Sequence, residues 1–186
     1  MKKEVDQGLI DKILSIYNPD IKYLKREFVD LDILAGYGVF EIPDYNVFSA
    51  DHKRLLHVTE SETQIMINQM MYPFMAEVLD RGIEGLRLGY DQFFQLAKEG
   101  IFLVEELKKY SHIMNSEWGV EGIIKLVNVT KKDTRDGHNL WITDFQTEVY
   151  PPKVHKKHEH YNYFEAKLII KPSMIFGKDI KYEPSK

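Results

Sequence analysis

His57, Glu62 and Asn68 fall in one segment, HVTESETQIMINQMMYPFMAEVLDRG, which runs from His57 to Gly82. A histidine and a carboxylate can move a proton. A side-chain amide can donate to an oxygen that gains negative charge during reaction. A hydrolase, or an enzyme that adds a group across a double bond, needs such a set. The same segment reads as a helix. Ile67, Met70, Met71, Phe74, Val78 and Leu79 form an apolar stripe, and Asn68 lies on its flank with Ile65, Tyr72 and Met75. Thr59 with Glu62 three residues on is a capping box, so the helix is predicted to start near residue 60. Its N-terminal amides and partial positive charge suit a developing oxyanion. Pro73 has no amide proton for the carbonyl of Gln69, which predicts a bend. Structural roles compete with chemical ones here. The capping box alone accounts for Glu62, and an exposed loop position accounts for His57. Asn68 and Gln69 either satisfy freed carbonyls and neighbouring strands or line a pocket that holds a water or a substrate carbonyl.

The rest of the chain must position that helix. Residues 4–17 place Val5, Leu9, Ile10, Ile13, Leu14 and Tyr17 at helical spacing, ended by Asn18-Pro19-Asp20. Residues 21–30 and 33–42 are rich in β-branched and aromatic residues and read as two strands joined by a tight turn. Gly36 and Gly38 inside the second strand suggest a bulge or a close backbone approach. A shorter helix is predicted over 90–99, closed by Gly100. Strand-like runs follow at 101–113, 120–131, 139–150 and 161–171, with the Asp-Gly turn of 134–139 as a hairpin signal. Short turns between consecutive strands imply an antiparallel sheet, and the one long apolar helix must cover its face. The expected class is therefore α+β, a hotdog fold in which a curved antiparallel sheet wraps one long central helix. Residues 1–172 are read as a single domain and 173–186 as a polar tail.

Composition closes off several functions. The 186 residues are 44% hydrophobic and 29% charged, with a net charge of −4 and no cysteine. Without clustered Lys and Arg, nucleic acid is a poor partner. Without cysteine there is no disulfide, thiolate nucleophile or cysteine zinc site. The N-terminus lacks the apolar core of a signal peptide, and no run approaches the ~18 apolar residues of a membrane span. The reading is a soluble cytoplasmic protein. His155, His158 and His160 with Glu159 sit in a polar Lys-rich loop and read as a solvated hairpin, so no metal is expected. No Gly-x-Ser-x-Gly elbow occurs, and Gly36-x-Gly38 is too short for a dinucleotide loop, so no cofactor is expected.

The order and spacing of GVFEIP (38–43), His57, Glu62, Asn68-Gln69 and Tyr72 resemble the FcoT-like thioesterase family. That family shows a Gly-x-Phe-x-Ile strand, a loop, and a Gly-His-Phe…Glu…Asn-Gln-x-x-Tyr helix. Tyr17-Asn18-Pro19, Tyr23-Leu24, Leu86-Arg87…Tyr90-Asp91 and Phe102-Leu103-Val104 extend the resemblance over roughly residues 8–171. Leu56-His57 departs from the family's Gly-His, and Pro73 and the 151–160 loop are peculiar to this chain. The resemblance implies a hotdog enzyme, a homodimer or dimer of dimers, acting on fatty acyl groups carried as thioesters by CoA or acyl carrier protein. It implies active-site roles for Tyr17 and Asn68. A third falls in the region of Tyr45, where the longer loop could instead align Val47 or Phe48. Family members include hydrolases and enzymes that add glycine to a 2-enoyl-acyl carrier protein in isonitrile-lipid pathways. Both polarise the thioester carbonyl. On this reading Glu62 or His57 moves the proton, Gln69 and Tyr72 line the site, and the acyl chain lies along Met66, Met70, Met71 and Met75. A hotdog domain that binds acyl groups without catalysis is the remaining class; the polar set on one helix argues against it.

Overall fold

The computed structural model describes residues 1–44, 55, 57–99, 101–109, 114, 119–133, 139–152 and 162–170; at Glu99, 102–109 and 162–170 only the backbone is described. Tyr45, Val47, Phe48, Gly100, the tip of the 134–139 turn, the histidine-bearing loop and the 173–186 tail lie outside those residues.

The chain opens with a strand, not a helix. β1 (Lys2–Glu4) pairs antiparallel with β2 (Leu24–Asp30), and helix α1 follows only at Gln7–Leu14. The helical spacing of Val5 and Leu9 extends past the true start because Asp6 caps the helix, its carboxyl accepting from Leu9 N at 3.1 Å. The helix ends at Leu14, and Asn18 caps a separate short turn over Pro19–Ile21. β3 (Ala35–Phe40), helix α2 (Glu60–Arg81) and helix α3 (Tyr90–Glu99) come next. Four strands complete the order: β4 (Ile101–Lys109), β5 (Val120–Asp133), β6 (Asn139–Tyr150) and β7 (Asn162–Ile170). All pairings are antiparallel, in the order β1-β2-β3-β5-β6-β7-β4.

The inner face follows from alternation. β6 points Trp141, Thr143, Phe145, Thr147 and Val149 inward, and β5 does the same with Val120, Gly122, Ile124 and Leu126. α2 lies across β2, β3 and β5, with α1 and α3 against its other side. It is buried almost all round, well beyond the single stripe predicted: Met66, Met75, Ala76 and even Glu77 are covered as well. The fold is the α+β hotdog expected from the sequence, a sheet curved about one central helix. No helix among the described residues is long and apolar enough to cross a membrane.

Two details fix how α2 sits. Gly38 and Gly122 are direct cross-strand partners, and a Cβ at either would meet the Met70 sulfur at 3.0 and 3.3 Å. The missing side chains make a notch that the Met70 sulfur and the Phe40 ring fill. In β2, a register shift between Leu24 and Arg26 reverses the pleat. Unbroken alternation from Leu24 would send Phe28 inward and Glu27 out. Instead Glu27 and Val29 are fully buried, and Phe28 turns outward beneath Lys2 and Arg26, each 4.9 Å from its ring centre.

Candidate functional site

The start of α2 is built as its sequence requires. Thr59 Oγ1 accepts from Glu62 N at 3.2 Å, and Glu62 Oε2 accepts from Thr59 N at 2.7 Å and from Thr59 Oγ1 at 2.9 Å. Glu62 is buried, with the Tyr23 phenol beside it; burial first, and then Glu62, pushes that phenol well above its usual range. His57 stands exposed two residues ahead of the cap, where the backbone is held by Val58 N donating to Met114 O at 2.8 Å.

Helical geometry separates the candidate residues into two groups. Seven residues on from Glu62, Gln69 returns to nearly the same direction, within ~20°. Both face the chain entering β2. Gln69 Oε1 accepts from Tyr23 N at 2.9 Å and Leu24 N at 3.0 Å, while its Nε2 donates to Ile21 O at 2.6 Å. The whole amide is thus committed to three backbone groups, and Gln69 is fully buried. Asn68 lies ~9 Å from Glu62 along the axis and ~120° around it. The structure does not bring Glu62 and Asn68 together.

Asn68 belongs to a second stripe with Gln64 and Tyr72, each four residues apart and each half-buried. Gln64 Nε2 donates to Asn68 Oδ1 at 3.3 Å. The Asn68 Nδ2 group has no hydrogen-bond partner among the described residues. One turn further on, Tyr72 meets Phe93 of α3 edge to face, with centroids 6.5 Å apart. Tyr17 packs beside Tyr72; burial, and then Tyr72 itself, raises the Tyr17 phenol well above its usual range. Burial raises Tyr72 as well. Both phenols therefore stay protonated and able to donate. The structure thus sets Tyr17 beside Tyr72, which meets α3, with Asn68 one turn earlier on the same flank of α2.

Gln64 was not singled out from the sequence. Its signal is the i, i+4 spacing to Asn68, which pairs amides along a helix. The methionines Met66, Met70 and Met75 are buried to 0%, 0% and 2% exposure. Met70 is pressed into the Gly38–Gly122 notch. A surface cleft of about 600 Å³ between α1 and the start of α3 is lined by Asp6, Leu9, Lys12 and Tyr90 among others, and by none of the candidate residues. Among the described residues no three His, Cys, Asp or Glu side chains converge as metal ligands would.

Comparison with protein-family models and with curated proteins gives no match. Among solved structures the chain is similar to a sigma28-regulated virulence protein from Campylobacter jejuni, at 7% identity and TM-score 0.45, covering 87% of this chain and 95% of that one. It is similar to a provisionally assigned thioesterase from Pseudomonas putida KT2440, at 9% identity and TM-score 0.44, covering 73% and 69%. It is also similar to the ChsH1–ChsH2 complex from Mycobacterium tuberculosis, at 11% identity and TM-score 0.39, covering 98% and 82%. These are likenesses of fold alone.

Proposed function

We propose that the chain hydrolyses fatty acyl thioesters of CoA or acyl carrier protein, as an FcoT-like thioesterase. The observation that carries this reading is the Asn68 amide: its oxygen is held by Gln64 while its Nδ2 has no partner among the described residues. An N–H donor fixed on a buried helix and left open suits a carbonyl oxygen that becomes negative. Tyr17 and Tyr72, kept protonated by burial, are donors on the same side.

In this reading Asn68 Nδ2 donates to the thioester oxygen. Water adds to the carbonyl carbon, the C–S bond breaks, and the thiol leaves with a proton. Of the two proton acceptors singled out, His57 and Glu62, Glu62 already accepts two hydrogen bonds within its cap. His57 stands further from Asn68 along the chain than Glu62 does, so neither is assigned the proton, which passes from the attacking water to the departing thiolate. The resemblance that suggests this activity also implies a homodimer or dimer of dimers, which solution mass measurement checks.

The test is thiol release from acyl-CoA and acyl carrier protein thioesters of graded chain length. Asn68→Ala is expected to lower kcat by about 10²–10³ with KM little changed. Equal turnover by wild type and Asn68→Ala would reject the role. No thiol release from any substrate, with a glycine-sized mass gain when a 2-enoyl thioester and glycine are supplied, would move the reaction to conjugate addition at the same carbonyl.

A further inference from the structure

We infer that β1 is a pH-sensitive latch, docked on the sheet edge while Glu27 carries its proton and lifted when Glu27 ionises. The latch is independent of the hydrolase reading, because Glu77, its partner on α2, lies about 13 Å along the helix from Asn68. β1 alternates as a strand should. Lys2 and Glu4 point outward, Lys2 at 3.9 Å from the Tyr37 ring centre and Glu4 bound by Arg26 Nε at 2.8 Å. Lys3, level with the buried Val29, points inward. Val5, just past the strand, is buried, and its N–H donates to Glu27 O at 2.9 Å. The inward side of β1 thus borders Glu27.

The groups that meet there balance in only one protonation state. Glu27 is fully buried, and neither carboxyl oxygen has a hydrogen-bond partner among the described residues. α2 brings Glu77, which is also buried. β1 brings Lys3, more than half exposed at the rim, with its Nζ 3.3 Å from Glu77 Oε2. α3 brings Tyr90, whose hydroxyl bonds Glu77 and which feels Asp80 and Asp6. β3 and β5 bring Gly36 and Ile124, which carry no charge. Arg26 and Asp30, on β2 itself, face the other side of the sheet. One ammonium offsets one carboxylate, so the Lys3, Glu77 and Glu27 cluster is neutral only while Glu27 keeps its proton. Burial, and then Glu77, raises the Glu27 carboxyl well above its usual range. An ionised Glu27 needs water. The least costly way to admit it is to lift β1, three residues long and paired on one side only.

In the lifted state the Glu27 carboxyl returns toward its ordinary value of about 4.3. Docking is therefore strongest below that pH. It weakens as pH rises toward the docked pKa, by up to about tenfold in the opening equilibrium per pH unit.

The test is amide hydrogen exchange on the full chain, with rates corrected for their intrinsic pH dependence. Val5 should exchange through an opening far more frequent than the global unfolding that releases Met75 in α2. Its protection should fall about tenfold or more between pH 5 and pH 8. In Glu27→Gln the Val5 protection should not vary with pH. Glu77→Gln removes the second negative charge, so the fall should end at a lower pH; this variant serves if Glu27→Gln does not fold. Constant Val5 protection in wild type, an equal fall in Glu27→Gln, an unmoved end point in Glu77→Gln, or Val5 protection equal to that of Met75 each overturns the latch.

Discussion

Gln69 and Glu27 are both fully buried polar side chains, and the fold treats them in opposite ways. Gln69 has every strong hydrogen-bonding end occupied, by Ile21 O, Tyr23 N and Leu24 N. Glu27 has neither carboxyl oxygen paired among the described residues. It faces Phe74 and Glu77 of α2 and the bare backbone of Gly36, whose Cβ would lie 3.0 Å from Glu27 Oε1. Burial, reinforced by Glu77, pushes the Glu27 carboxyl well above the usual carboxylate range. Glu77 is itself engaged by Lys3 Nζ at 3.3 Å and by the Tyr90 hydroxyl, whose pKa is pushed up to about 12 by burial first and Glu77 next. The lesson is that burial alone says nothing about what a polar group contributes. Gln69 ties α2 to the strand entering beneath it, whereas burial and the nearby Glu77 favour the protonated form of Glu27.

The comparison breaks first at Gln69. Gln69→Leu leaves two N–H groups and one carbonyl without partners. Each such group costs about 1–3 kcal/mol, so a loss of roughly 4 kcal/mol and a fall in Tm near 10 °C are expected by thermal unfolding. A Tm within a degree or two of wild type would show that water or a shifted backbone replaces the amide.

Glu27→Gln should act in the other direction. The folded pKa of Glu27 is raised, so its folded state is penalised as pH climbs above the unfolded carboxyl value of about 4.3. Wild-type stability is highest below that value and declines as pH rises toward the folded pKa, by at most about 1.4 kcal/mol per pH unit. The amide does not titrate. The stability advantage of Glu27→Gln, read from urea unfolding at several pH values, should therefore widen from pH 5 to pH 8. A constant difference across that range would show that Glu27 is ionised in the folded protein. The smallest effect belongs to Lys3→Met. Lys3 is more than half exposed but Glu77 is buried, so losing the contact should cost about 1 kcal/mol, and high salt should only partly reduce the change.

The elements that read well in the sequence are those specified locally. Thr59 and Glu62 mark the start of α2 because a capping box is complete within four residues. Its covered length follows from a long apolar run, and the strands follow from alternation and turn residues. β1 does not read, because Lys2, Lys3 and Glu4 carry no strand pattern and pair only because β2 offers an edge. Glu27 does not read either. IKYLKREFVD places Leu24 and Phe28 on one face by simple alternation, and only the bulge turns Glu27 inward. The candidate site divides in the same way. Asn68 and Tyr72 lie on one flank by helical arithmetic alone, and Tyr17 joins them only through the packing of α1. That same arithmetic parts Glu62 from Asn68, a separation that the linear nearness of His57, Glu62 and Asn68 conceals.

The notch at Gly38 and Gly122 has a consequence for substitution. A methyl group would stand 2.8 Å from the Phe40 ring at position 38 and 3.1 Å from the Met70 methyl at position 122, so these two side chains would have to shift. One flexible hydrocarbon can thus replace another under the helix, while two positions with no side chain at all, far from each other along the sequence, set the room that Met70 and Phe40 occupy.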